Sequence, residues 1–207
     1  MSIPIEVPGL DTIIPELGQG QLVVVESGSD LAKSYFVRHL ALTALRNHWP
    51  VTFVISRDRA ELQALLTAEG LVEPDGQLTV FERDAIRGFE EFVRPGGLLA
   101  VDSFSYLTLN MPAVELSQLL RNLRRLCQSQ NLTVLLATDR GMFDPRAEAV
   151  AAHMADGFLQ FDAREGADGI IRYLRIPKWT GGKFVDRNIY YEFDGKRLAI
   201  DLRNRVL

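Results

Sequence analysis

Gln21-Leu22-Val23-Val24-Val25-Glu26, then Ser27-Gly28-Ser29-Asp30, then Phe36, Val37, Leu40, Ala41, Ala44 and Leu45 decide how this chain folds. The first six residues are a short, continuous, valine-rich run, which suits a strand buried on both faces in the middle of a parallel sheet. The next four form a turn cluster, and the apolar residues beyond recur at helical spacing. The order is strand, loop, helix.

The same alternation continues outward. Val51 to Ile55 reads as a strand, Arg59 to Glu69 as a helix, Leu78 to Phe81 as a strand and Ile86 to Val93 as a helix. Gly97 to Asp102 is another buried strand, Ala113 to Ser129 a long amphipathic helix, and Thr133 to Thr138 a further strand. Alternating strands and helices imply right-handed crossovers and a parallel sheet covered on both sides. After a helix at Pro145 to Met154 the helices stop, leaving strands at Gly157 to Phe161, Ile170 to Ile176, Arg187 to Phe193 and Arg197 to Asp201. Asp194-Gly195 joins the last two as a hairpin, with Lys196 lengthening the turn. The C-terminal quarter is therefore expected to be antiparallel and to extend one edge of the sheet. With no repeat, low-complexity segment or linker, residues 1–207 are expected to form one α/β domain.

Composition agrees with that size and narrows the partners. The chain has 207 residues, 47% hydrophobic and 24% charged, enough for one domain to bury roughly 70% of its unfolded surface. No apolar run approaches the roughly 18 residues needed to cross a bilayer, and the start lacks a signal-peptide pattern. A cytoplasmic protein with no membrane partner is expected. A net charge of −4 does not attract a polyanion overall, although basic residues outnumber acids from Arg172 to Arg205 and are read as a solvated hairpin face. Cys127, the only cysteine, has no disulfide partner and reads as a small core residue. His39, His48 and His153 share no metal-ligand spacing.

The loop after the first strand carries the chemistry. A phosphate-binding loop, G-x-x-x-x-G-K-[ST], needs glycines so that backbone N–H groups turn inward, a lysine for the outer phosphates and a hydroxyl for Mg²⁺. Here the stretch is Ser27-Gly28-Ser29-Asp30-Leu31-Ala32-Lys33-Ser34. Lysine and hydroxyl are in place between the right elements, while Ser27 and Ala32 stand where glycine belongs. The candidate phosphate-binding residues are Ser27, Gly28, Ser29, Asp30, Ala32, Lys33 and Ser34, with Ser34 and Asp102 as Mg²⁺ ligands. ATP or ADP with Mg²⁺ is the cofactor such a loop takes. The Ala32 Cβ and the Asp30 charge are expected to oppose it, and Ser29 or Asp30 can equally cap the helix. Asp102, ending Leu98-Leu99-Ala100-Val101, suits the Mg²⁺ shell or a simple turn.

At this point the chain resembles KaiC-like ATPases of the RecA superfamily. Val7-Pro8-Gly9-Leu10-Asp11-Thr12-Ile13-Ile14-Pro15 before Gly18-Gln19-Gly20-Gln21 is similar to their entry segment. Asp102-Ser103 resembles their Walker B aspartate and serine, Ala155-Asp156-Gly157-Phe158-Leu159 their ADGVI strand, and Arg175 to Gly182 their lysine-containing C-terminal strand and turn. The resemblance implies a RecA-type α/β domain, mostly parallel, with helices on both faces, that binds nucleotide in an oligomer.

It also implies two groups for hydrolysis. A glutamate after the second core strand would polarise water, but Ser56 and Arg57 stand there. Asp58, one turn further on, either substitutes for it or caps a helix. A K-x-R finger would reach a neighbouring subunit's γ-phosphate, and here it reads Lys178-Trp179-Thr180. Asp58 and Lys178 are therefore the candidate catalytic residues. Loss of an arginine finger alone costs about 10³ to 10⁵ in rate.

The resulting expectation is a RecA-fold regulatory or scaffolding subunit with a degenerate site, non-hydrolysing or weakly hydrolysing, in a homo-oligomer or paired with a related RecA-fold subunit. A working KaiC-like ATPase is one alternative. A recombinase-like DNA-binding protein is another, disfavoured by the acidic balance and by the lack of a long glycine-rich loop after Thr138. Trp179 reads as a half-buried aromatic or a stacking surface. Arg121, Arg124 and Arg125 read as a polar helix face or subunit contact.

Overall fold

The computed structural model describes residues 2–201 apart from 29–31, 56–59, 61–63, 65–66, 68–77, 82–92, 143, 168 and 183–184. Of the helix expected at Arg59 to Glu69, Ala60, Ala64 and Thr67 are helical. The helix expected at Ile86 to Val93 lies outside the described residues except for Val93, which is buried.

The central element is β3 (Leu22–Ser27), all six residues of which are buried. It lies between β7 (Thr133–Asp139) and β8 (Gly157–Gly166), parallel to both. Beyond β7 come β6 (Leu98–Asp102), β4 (Val51–Ile55) and β5 (Leu78–Phe81), all parallel. Beyond β8, the strands β9 (Gly169–Trp179), β10 (Val185–Phe193) and β11 (Leu198–Ile200) pair antiparallel in sequence order. The nine-stranded order is β11-β10-β9-β8-β3-β7-β6-β4-β5. The expected antiparallel extension is present on the β8 side. A separate ribbon of β1 (Ser2–Pro4) and β2 (Glu16–Gly18) precedes it.

Period-two alternation in the strands sends successive side chains to two cores. Val23 and Val25 face α1 (Ala32–Arg46), where Phe36, Val37 and Leu40 meet the N-terminal Ile5, Leu10 and Ile14. Leu22 and Val24 face the opposite layer, α3 (Ala113–Gln130) and α4 (Pro145–Met154). In α3 only Leu116, Leu120, Leu123 and Cys127 are buried, an apolar stripe at helical spacing. Cys127 is part of that core, and burial pushes its thiol up to about 12, so it is inert packing. Helix α3 ends at Asn131, whose φ of +52° is left-handed, a conformation asparagine tolerates at a helix C-terminus. Helix α4 begins with Asp144 accepting from the Arg146 N–H, followed by Pro145 in the first turn.

Strand β9 runs three residues past the expected end at Ile176, and Trp179 closes it. Its ring lies over the backbone of Gly157, where an added Cβ would stand 2.7 Å from Cε3 and Cζ3, and against Gly182, where one would stand 2.4 Å from Cδ1. Trp179 is thus a half-buried aromatic packed on the α1-side core. Overpacking such a site costs about 1–3 kcal/mol. Gly157→Ala should lower stability by about that amount, read from urea unfolding. An unchanged midpoint would mean that the ring is not held against the glycine.

Candidate functional site

In an open α/β sheet, ligands bind beyond the carboxyl ends of the parallel strands, and of the candidate residues Ser27, Lys33, Ser34 and Asp102 gather there. Ser27 ends β3 level with Asp139 at the end of β7, and the Arg140 N–H donates to the Ser27 carbonyl at 2.8 Å. The chain then leaves the sheet and returns in the first turn of α1, where Ala32, Lys33 and Ser34 are all buried. Ser29 and Asp30 lie outside the described residues, as do Ser56, Arg57 and Asp58.

Two polar contacts organise the site. The Ser34 hydroxyl donates to Asp102 Oδ1 at 2.7 Å. The Lys33 ammonium donates to Asp139 Oδ1 at 2.7 Å, with the lysine side chain 7% exposed. The second oxygen of Asp139 accepts from the hydroxyls of Ser103 and Ser105, each at 2.7 Å, and the Asp139 N–H donates to Ser105 Oγ at 3.0 Å. Ser103 and Ser105 sit where β6 turns into the short helix α2 (Phe104–Leu107). The carboxylate of Asp139 therefore has three donors, one from α1 and two from the β6–α2 junction. Burial alone would raise its pKa, but the hydrogen bonds from Lys33, Ser105 and Ser103 outweigh that and hold it below the usual carboxylate value.

Ala32 belongs to the hydrophobic core on the α1 side. Its methyl group packs among core side chains, so the negative charge beside Lys33, rather than that methyl, is the main feature opposing an anion here. At Gly28 an added Cβ would meet nothing within 4 Å, which leaves the described entry to the loop open. A hydroxyl and a carboxylate in contact are hard oxygen donors of the kind Mg²⁺ takes. In donor chemistry the residues present are compatible with a magnesium-phosphate group, for which Ser34 and Asp102 would serve the metal and Lys33 the phosphates.

A second charged cluster lies beside the first. Arg140 donates to Glu26 Oε1 at 2.8 Å and to Asp162 Oδ1 at 2.5 Å. Arg175 reaches the other Asp162 oxygen at 2.7 Å, and Gln160 donates to Glu26 at 3.0 Å. Burial would raise the Asp162 pKa, yet the Arg140 and Arg175 hydrogen bonds hold it low. Asp139 and Arg140 are neighbours in sequence, one facing Lys33 and the other tied to the strands on the far side of β3.

Lys178 is not brought to this site within the chain. It pairs with Phe158, level with Val24, and its ammonium donates to the His153 carbonyl at 2.8 Å. The Thr180 N–H donates to the Asp156 carbonyl, near the start of β3. Arg124 bonds Asp156, which also accepts from the Leu22 N–H, so that arginine braces the sheet. His39 contacts the Ile5 carbonyl at 3.0 Å. Among the described residues, no cluster of three or more His, Cys, Asp or Glu could hold a metal ion, and no helix is long and apolar enough to cross a membrane.

Sequence reasoning missed Asp139, Ser105 and the Glu26–Arg140–Asp162–Arg175 network. Asp139 carried the signal that singled out Asp102, an acid directly after a buried apolar run. The network had none, because its members are scattered along the sequence.

A mostly parallel sheet with a lysine and hydroxyl opening the helix after its central strand, and an acid ending β6, is the architecture of a RecA-type α/β fold. The fold matches solved structures of that type. A KaiC-like protein from the hyperthermophilic archaeon Pyrococcus horikoshii OT3 superposes with a TM-score of 0.78 at 18% identity, over 97% of this chain and 99% of that one. The flagellar accessory protein FlaH from Methanocaldococcus jannaschii gives 0.79 at 15% identity, over 97% and 98%. No protein-family model matches the sequence, and no curated protein does. The RecA-type fold expected from sequence, and its likeness to KaiC-like proteins, are what the structure has.

The paired acids have a consequence for acid stability. A carboxylate whose folded pKa lies below its unfolded value of about 3.9 stabilises the fold above that value, and the contribution is lost as pH falls through the folded pKa. Asp139 and Asp162 are both of this kind. The urea midpoint should fall steeply below about pH 4, and Asp162→Asn should flatten that acid limb. An acid limb as steep in the variant as in the wild type would remove Asp162 from the account.

Proposed function

We propose that this protein is a RecA-fold regulatory or scaffolding subunit whose nucleotide site is degenerate, with little or no hydrolysis of ATP. It works as a homo-oligomer or beside a related RecA-fold subunit. The observation that carries the reading is the 2.7 Å ion pair between Lys33 and Asp139. The lysine that should stabilise charge on the outer phosphates is already neutralised by the protein's own carboxylate. Phosphoryl transfer depends on positioning and charge stabilisation with little covalent help from the protein, so a neutralised lysine removes a principal term. Ser56 and Arg57 in place of a water-polarising glutamate, and Thr180 in place of a finger arginine, support the same reading through the resemblance to KaiC-like ATPases.

If ATP or ADP with Mg²⁺ enters, Ser34 and Asp102 would hold the metal, and Lys33 with the backbone around Ser27 and Gly28 would hold the phosphates. The metal would supply neutralisation of phosphate charge. The intact Ser34–Asp102 contact at 2.7 Å favours a second reading, an ATP-binding ATPase with Asp58 replacing the glutamate. That reading requires a nucleotide-dependent rise in melting temperature of several degrees, since only the folded state binds.

Turnover separates the two. Purified protein with millimolar ATP and Mg²⁺ should release phosphate well below about 1 s⁻¹, the low end of ordinary enzyme turnover. Metal-dependent release at or above that rate, abolished by Lys33→Ala, would establish the ATPase instead.

A further inference from the structure

We propose that Asp139 is a built-in surrogate for phosphate, a latch that occupies Lys33 in the ligand-free protein and must let go before a polyphosphate can bind. The proposal rests on reading Lys33 and Ser34, at the start of α1, as polyphosphate-binding residues and deepens that reading by naming what controls entry. Asp139 Oδ1 takes a charge-assisted bond from Lys33 at 2.7 Å. That is the donor an outer phosphate oxygen would use. The lysine is almost fully buried, so it cannot swing into solvent to serve a ligand while keeping the acid. A phosphate arriving while Lys33 still holds Asp139 would find the lysine charge already compensated and a carboxylate of like charge beside it, which is unfavourable.

The geometry also gives the acid somewhere to remain. Its other oxygen is held by Ser103 and Ser105, and its backbone N–H by Ser105. Releasing Lys33 therefore costs Asp139 one partner of three and leaves the carboxylate seated on two hydroxyls. A carboxylate held only by the lysine would be left bare on release. One seated by two further donors can yield the lysine and retake it. This is a specificity device as well as an inhibitory one, because only an anion that binds Lys33 more strongly than Asp139 does gains entry.

The test is calorimetric titration of the full chain with inorganic triphosphate, with and without Mg²⁺. Asp139→Asn keeps the shape and an acceptor for Ser103 and Ser105 while removing the charge. It should bind about 10- to 100-fold more tightly than wild type, the range for freeing one charged hydrogen bond. The gain should vanish in the double variant Asp139→Asn/Lys33→Ala, which separates release of the lysine from a general loss of negative charge. Asp139→Ser should reproduce the gain if the asparagine variant folds poorly, with urea midpoints checked for each protein. Equal affinity of wild type and both Asp139 variants, with binding still lost in Lys33→Ala, would overturn the latch and leave the phosphate loop standing. A gain that survives in the double variant would also overturn it. Absence of binding by every variant at millimolar triphosphate would overturn the phosphate loop itself and the latch with it.

Discussion

The burial of β3 on both faces is the constraint from which the rest of the molecule follows. Leu22, Val23, Val24 and Val25 each lose nearly all contact with water, worth roughly 1.5–3 kcal/mol apiece relative to an exposed side chain. Such a strand has no solvent face and is hydrogen-bonded on both edges, so its register against β7 and β8 leaves no freedom to slide. The loop that follows therefore departs from a fixed point, and the first turn of α1 returns to one. Lys33 and Ser34 are delivered to the tips of β7 and β6 by this rigidity.

What meets them there is a set of opposing charges in small compass. Glu26, Asp102 and Asp139 are carboxylates at or near the carboxyl ends of their strands, Asp162 lies in β8 just past its last pairing with β3, and burying any of them unpaired would be strongly unfavourable. Each has a donor: Arg140 and Gln160 for Glu26, Ser34 for Asp102, Lys33 and two serines for Asp139, Arg140 and Arg175 for Asp162. No described buried side-chain polar atom lacks a partner. A charged cluster satisfied by its own side chains is a stable structural unit, and that self-sufficiency is at odds with avid capture of an outside anion.

The fold was readable from sequence because its signals are local. A valine run flanked by turn residues, a leucine stripe at helical spacing in α3 and the Asp194-Gly195 hairpin each report on a few consecutive residues. The hairpin closes as expected, with Asp194 accepting from the N–H groups of Lys196 and Arg197. The candidate phosphate loop was readable for the same reason, since Lys33 and Ser34 follow Ser27 within one short stretch. Asp139 was missed because its role depends on the lateral order of strands. Nothing in Thr133 to Asp139 says that this tip lies beside Lys33, more than a hundred positions earlier. Ala32 illustrates the converse. Its replacement of glycine is obvious in the sequence, but whether its methyl meets a ligand or the core is decided by how α1 packs.

The position of β3 also shapes how the protein is made. Its two neighbours in the sheet, β7 and β8, are paired through Val24 with Leu136 and Phe158, so the middle of the sheet is written early in the chain and its flanks late. At roughly 5–20 residues per second of translation, the finished strand waits about 7 to 27 s for its second neighbour. Contacts of such long sequence separation also slow folding through the cost of closing large loops. For that interval a valine-rich segment with two open edges must be kept from pairing elsewhere. The charge of Glu26 at its end, buried and bridged in the finished protein, is then exposed as a deterrent to aggregation.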